Sequence, residues 1–429
     1  MNIQTLPVAI IGGGPVGLAA AAQLTQRGQS FQLFEAGEQL GANFLDYGHV
    51  RLFSTWEYNM DDAAKALLQN HGVALPDPDQ LPLGKEIATE YLHPLGGLPE
   101  MKPYIHLGSK VIHISRKGLS KVKTAGREEV PFELIVESKD TGRQRFLARA
   151  VIDATGTWHN PNPLISGGLP SSESTSIHTG LPDLLGRDRR RYENKRVAVV
   201  GSGHSAFNTI LDLAEIQSQA PDTSITWIIR RPNLGSILGG GSADQLAERG
   251  ALGTRVQGAV QERSIDLRTS CMIHDYREGE DGAITLHVTE NGMEQELGPF
   301  DEVIANTGSH PNFEFLREIR YSADPALESV PALAPLIDPN VHSCGTVRPH
   351  GEHELRQPEK DFYIIGTKSY GRAPTFLMAT GYEQARSVAA HLTGDYESAK
   401  RVELHLPETG VCSSRPLILQ KAGTSTACC

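Results

Sequence analysis

The sequence predicts an α/β fold in which one strand-and-helix domain is nested inside another. Three observations carry that reading. A glycine-rich turn joins an apolar run to an alanine-rich stretch in VAIIGGGPVGLAAAAQL, starting at Val8. The same arrangement recurs about 190 residues later in RVAVVGSGHSAFNTI, starting at Arg196. A late strand and helix pattern at 361–392 then follows a proline-rich, irregular stretch, as if the chain came back to complete its first unit.

The first unit spans 7–35. Gly12 permits the tight turn after the strand, Gly14 lets backbone approach a pyrophosphate, and Gly17 lets the helix lie close to the strand. Phosphates then meet the open N–H groups and the positive end of the helix dipole. Glu35 closes the next strand, FQLF, and an acid there accepts hydrogen bonds from a ribose hydroxyl, as in FAD or NAD. In the second unit Gly201 and Gly203 take the first two places and Ala206 the third. Its next strand, SITWIIRR, ends in Arg230 and Arg231, and arginine there suits the 2′-phosphate of NADPH. The expected fold is therefore two Rossmann-like dinucleotide-binding domains, and two nucleotides on one chain imply hydride passing from NADPH to FAD.

Between the units, VPFELIVES and RFLARAVIDATG read as strands, the second ending in Asp153-Ala154-Thr155-Gly156. FDEVIANTG closes the second unit in the same manner, ending at Gly308. Such strand ends, with Gly366 after DFYIIG, mark places where the chain returns to a nucleotide. The expected division is 1–160 and 311–400 for a discontinuous FAD domain, 161–195 for a linker rich in Asn, Pro, Ser and charge, 196–310 for an inserted NADP domain, and 401–429 for a cysteine-containing tail.

A chain of 429 residues with net charge −11 is long enough for more than one core and has no basic excess for nucleic acid or anionic lipid, so the expected partner is a small-molecule substrate. The uncharged start, Met1 to Gln26, lacks a basic leader region and is broken by Gly-Gly-Gly-Pro; it reads as the nucleotide turn. No long apolar run predicts a membrane span. Five cysteines, an odd number, suggest no disulfide framework and a cytoplasmic location. Leu406 to Gly410 reads LPETG, a sorting-signal match, but the stretch from Val411 to Cys429 is too short and polar for that use.

With these motifs in order, residues 7–395 resemble the two-dinucleotide-binding flavoproteins, within them the flavin-containing monooxygenase-like group. The glutathione-reductase-like branch carries C-x-x-x-x-C soon after its first unit, whereas this chain has no cysteine before Cys271. The monooxygenase fingerprint F-x-G-x-x-x-H is absent as such; only Ile177-His178 matches its end. VRPHGEHELRQPEKDFYIIGTKSYGRAPTFLMATGYEQARSVAAHL, LPETGVCSS and the terminal Cys-Cys resemble the flavoproteins encoded beside bacterial arsenic-resistance genes.

The resemblance implies site residues. Thr380 and Gly381, on the helix after DFYIIG, stand where this group aims a helix terminus at the flavin pyrimidine, so partial positive charge is expected there. The chain after the first unit lines the flavin ring in relatives, which puts forward Arg51, Trp56 and Asn59 as catalytic contacts. Lys368 and Arg372 are expected either to bind an oxyanion or to be solvated loop charges. Gly239, Gly240 and Gly241 are expected to form a loop that opens for nicotinamide. The spacing of Cys344, His350 and His353 fits no standard zinc pattern. Cys412, Cys428 and Cys429 offer soft thiolates for trivalent arsenic or a heavy metal. Three outcomes stay open: oxygen insertion into a soft nucleophile, two-electron reduction without oxygen, or a non-enzymatic metalloid-binding flavoprotein.

Overall fold

The computed structural model describes residues 2–170, 173–238, 247–262, 265–341, 350–374 and 376–404. The chain opens with β1 (Val8–Ile11), four consecutive apolar residues that are all buried, as a strand covered on both faces requires. Helix α1 (Pro15–Gln26) follows, with Pro15 in its first turn and Pro15 to Leu24 all buried. Its four alanines keep the helix thin enough to lie against the sheet. Gly28, at φ +67°, ends it and turns the chain into β2 (Phe31–Phe34). Helix α2 (Asp62–Asn70) is capped by Asp61. Then come β3 (Ile105–His106), the antiparallel β4 (Ser109–Arg116), β5 (Phe132–Ser138) and β6 (Gly142–Ala148), and the buried β7 (Ala150–Asp153).

The second half repeats this plan. After β8 (Ile177–Thr179) come β9 (Arg196–Val200), α3 (His204–Gln219), β10 (Ser224–Ile228), α4 (Ala247–Glu262) and β11 (Ile265–Arg268). A second antiparallel trio, β12 (Cys271–Glu278), β13 (Ile284–Glu290) and β14 (Met293–Phe300), leads to β15 (Glu302–Ala305). The chain then returns as β16 (Phe362–Ile364) and α5 (Met378–Leu392).

Two five-stranded parallel sheets result, in the orders β16-β7-β1-β2-β3 and β8-β15-β9-β10-β11. They match position for position. In each, the strand before the glycine turn is central, flanked on one side by the strand that follows the turn helix and on the other by the strand that ends in Asp153 or Ala305. Only this edge strand differs in origin: β16 arrives after the second domain, whereas β8 comes before the other strands of its own sheet. The second domain is thus inserted in the first. Two segments link the domains and pair with each other, Asn162 N–H donating to Gly308 O at 2.9 Å and His310 N–H to Asn160 O at 2.9 Å.

The stretch 161–195, expected as a linker, supplies β8, and Leu164, Leu184 and Tyr192 within it are buried in the second domain's cores. A three-residue strand is too short to produce an alternation readable in sequence.

Candidate active site

In the first turn, steric demands separate the glycines. A Cβ on Gly12, which sits at φ +105°, would lie 2.6 Å from the Ala154 carbonyl oxygen, and one on Gly17 would lie 2.0 Å from that of Gly12. The protein's own backbone forbids both. A Cβ on Gly14 would meet no described atom within 4 Å, so this glycine leaves open a space at the head of α1. Gly14 is the N-cap of α1 and offers no side-chain cap, so the helix N–H groups point into that space. Glu35 borders it: Oε2 accepts from Gly13 N–H and Oε1 from Gly37 N–H, both at 2.6 Å. Burial raises its carboxyl above the ordinary value, and the two amide bonds pull it back. Each oxygen retains a lone pair for a ribose hydroxyl.

Helix α5 brings a second terminus to the same place. Its N-cap, Leu377, gives no side-chain bond. A Cβ on Gly381 would lie 2.5 Å from Val16 Cγ2, and one on Gly366, at φ +71°, would lie 3.4 Å from Val16 Cβ. Val16 therefore sits between Gly366 and Gly381, and the N-termini of α1 and α5 converge at the carboxyl edge of the sheet. Thr380 is buried beside Gly381. Gly156 turns at φ +67° after β7, at the same edge. Together these groups fit an anionic, extended cofactor: one open cradle, two uncapped helix termini and one ribose acceptor.

The second turn repeats the logic. A Cβ on Gly201, at φ +137°, would lie 2.2 Å from the Asn306 carbonyl oxygen, while one on Gly203 would meet no described atom within 4 Å. Ala206 is fully buried where a third glycine would stand. Arg230 and Arg231 are exposed beyond β10, and neither guanidinium has a hydrogen-bond or ion-pair partner among the described residues. They contrast with Glu35, whose oxygens are both engaged. His204, the first residue of α3, has its ring 5.0 Å from that of Phe53, so the segment 49–61 of the first domain reaches the second nucleotide turn.

The other expected contacts have partners within the protein. Arg51 Nη1 donates to Leu81 O at 2.6 Å, and Trp56 is buried in the main core. Asn59 is buried, its amide nitrogen donating to Ser54 O at 2.7 Å and its amide oxygen accepting from Ser54 Oγ at 2.9 Å.

Lys368 corrects both expectations for it. It is neither an open oxyanion ligand nor a solvated charge, because its Nζ is wholly buried 2.6 Å from Asp153 Oδ2 and 3.2 Å from Thr155 Oγ1, with the Phe313 and Phe315 rings against it. Burial lowers its pKa and Asp153 opposes that. The missed signal was Asp153 itself, a charge at the end of a fully buried strand that needs a partner. Arg372 is half-exposed and engages Glu328 Oε2 at 2.8 Å and Asn162 Oδ1 at 3.2 Å.

His350 is buried against Gln384, whose Oε1 accepts from Gly366 N–H, while His353 is exposed. Among the described residues no group of three His, Cys, Asp or Glu is arranged to hold a metal. Gly239 to Gly241, Cys344, Cys412, Cys428 and Cys429 lie outside the described residues. Cys271 is buried in β12, where burial pushes its thiol up to about 11. No described helix is long and apolar enough to cross a membrane.

Known proteins share this fold. The chain is 24% identical over 400 residues to a ferredoxin–NADP reductase of Enterococcus faecalis, covering 91% of this chain and 96% of the relative. Its fold matches bacillithiol disulfide reductase from Bacillus cereus with a TM-score of 0.68 at 19% identity, over 91% of this chain and 99% of that one. It also matches ornithine N-hydroxylase of Kutzneria sp. 744 with a TM-score of 0.61 at 14% identity, over 92% and 100%. A family model described as pyridine nucleotide-disulphide oxidoreductase matches residues 9–336. The chain accordingly belongs to the pyridine nucleotide-disulphide oxidoreductase family and is an FAD- and NADPH-dependent oxidoreductase.

Proposed function

We propose that the chain works as a monooxygenase-type flavoprotein whose substrate is a soft nucleophile, with trivalent arsenic the leading candidate. The observation that carries this reading is the placing of its thiols. No cysteine precedes Cys271, and Cys271 is a buried, protonated thiol in the second domain's antiparallel trio, so no dithiol follows the first turn to take electrons from the flavin. FAD, when bound, supplies two-electron transfer from NADPH to dioxygen, one oxygen atom going to substrate and the other leaving as water.

The chain's own residues bind and orient. Gly14 and the head of α1 hold the FAD pyrophosphate, with Glu35 on its ribose. Gly203 and the head of α3 hold that of NADPH, with Arg230 and Arg231 on its 2′-phosphate. Thr380 and Gly381 present the α5 terminus to the ring, where positive potential favours added electrons. Cys412, Cys428 and Cys429 hold the metalloid as thiolates. A reductase without oxygen insertion is the second reading, favoured by the nearly full-length likeness to a ferredoxin–NADP reductase.

Anaerobic and aerobic NADPH oxidation, with and without arsenite and with labelled dioxygen, tests the proposal. The expected outcome is arsenite-stimulated oxygen uptake and label in the oxidised product. With ferricyanide added as electron acceptor in place of oxygen, NADPH oxidation that is as fast as in air and indifferent to arsenite, with no label in the product of the aerobic assay, supports the reductase.

A further inference from the structure

We propose that Asp61 is a positioning residue that takes one proton from water when the flavin bound at the first turn is reduced; this rests on FAD occupying that turn. Asp61 caps α2, Oδ1 accepting from Ala64 N–H at 3.0 Å, and Oδ2 accepts from Gln23 Nε2 of α1 at 3.1 Å. Its own N–H donates to the Tyr91 hydroxyl at 3.1 Å. Tyr91 lies on a π-helical turn, Ile87–Leu92, and shares a side-chain hydrogen bond with Tyr382. The Tyr382 hydroxyl also donates to Asn59 O at 2.7 Å. Asp61 is thereby tied to α1 and, through two buried tyrosines, to α5, the helices whose free N-termini converge beside Val16.

A buried carboxylate is more than a cap requires. Serine or asparagine caps as well without the cost of burying a charge. Asp61 is buried and has no counter-ion among the described residues: α1 faces it with Gln23, the π-helical turn with Tyr91 and α5 with Tyr382, all neutral. On its own helix the nearest charge is Asp62, held by Lys65. Burial pushes the Asp61 carboxyl up to about 6, close enough to neutrality for a modest negative field to protonate it. Atoms and charges balance. Hydride carries two electrons and one proton from NADPH to the ring, adding a negative charge there. Asp61 forms a new O–H bond with a solvent proton and loses its own negative charge.

The test is the flavin midpoint potential of the holoprotein against pH, set electrochemically without NADPH or oxygen, for wild type, Asp61→Asn and Asp61→Ser. A two-electron couple moves by about 30 mV per pH unit for each proton taken up. Wild type is expected to fall by about 30 mV more per pH unit than either variant over part of the range pH 5.5–8.5. Parallel lines would reduce Asp61 to a cap. Should neither variant retain flavin, the reduced-minus-oxidised infrared spectrum of wild type decides, through a new protonated-carboxyl band that shifts in heavy water or its absence. Wild type without flavin absorbance refutes the cofactor reading instead.

Discussion

Gly12, Gly14 and Gly17 answer to different neighbours, and the difference is testable. A side chain at Gly14 meets no described atom, so Gly14→Val should leave the flavin-free fold intact while filling the phosphate space. The expected protein is colourless, with a melting temperature close to that of wild type stripped of flavin; full flavin occupancy by absorbance would remove Gly14 from the site. Arg230 and Arg231 differ from Lys368, a third cation near a nucleotide turn, because nothing in the described protein pairs with them. Charge-assisted bonds to a 2′-phosphate are strong, so Arg230→Ser with Arg231→Ser should raise KM for NADPH on the order of 10–100-fold and that for NADH little. Steady-state kinetics with both nucleotides measures this, and an equal rise in both would show that the arginines read no 2′-phosphate.

Helices α1 and α5 approach through glycine, and the two contacts differ in what must yield. Alanine at Gly17 would drive its Cβ into a backbone oxygen, whereas alanine at Gly381 would meet the Val16 methyl and the tip of the Phe376 ring. Side chains give way more easily than a turn does. Gly17→Ala should therefore cost about 3 kcal/mol or more and Gly381→Ala about 1–2 kcal/mol, read from urea midpoints. Helix α2 adds a pH signature through its cap. The folded protein holds the Asp61 proton to about 6 against an ordinary 3.8. Its stabilising contribution is whole below about pH 4 and is lost as pH rises through about 6. Relative to wild type, Asp61→Asn should gain up to about 3 kcal/mol in stability between pH 4 and pH 7.5. A difference that stays flat in denaturant titrations across that range would mean that the carboxyl is not perturbed.

The molecule is one plan used twice, with the same strand order in both parallel sheets and an antiparallel trio attached to each. The copies meet at the paired backbone of Asn162 with Gly308 and of Asn160 with His310, at Thr157 Oγ1 and Ser309 Oγ, 2.8 Å apart, and where the Phe53 ring meets that of His204. Hydride transfer depends on residues within these two domains, whereas metalloid capture in the proposed function depends on thiolates beyond residue 404. Replacing Cys412, Cys428 and Cys429 by serine should weaken arsenite binding at least tenfold in calorimetry, on the order of one lost charge-assisted contact, while flavin reduction by NADPH in stopped flow stays within about twofold. Unchanged arsenite affinity would detach the tail from the function.

The two glycine turns and the strand ends at Gly156, Gly308 and Gly366 were legible because each rests on a short-range steric demand, and the nesting was legible from the order in which the repeated units occur. A turn needs its glycines within six residues, and that demand is written locally. The fate of the charged and polar side chains was not legible. Lys368 finds Asp153 across 215 positions of chain, and Asp61 meets Tyr91 across 30, with Tyr382 joining from the far end of the first domain. Trp56 and Asn59 have suitable chemistry for a ring contact, yet the core and Ser54 take them, while the exposed Arg51 gives one N–H to the Leu81 carbonyl. Burial decides such cases, since a polar group removed from water binds whatever donor or acceptor the packing brings, and packing is set by the assembled sheets and helices rather than by any local run of residues.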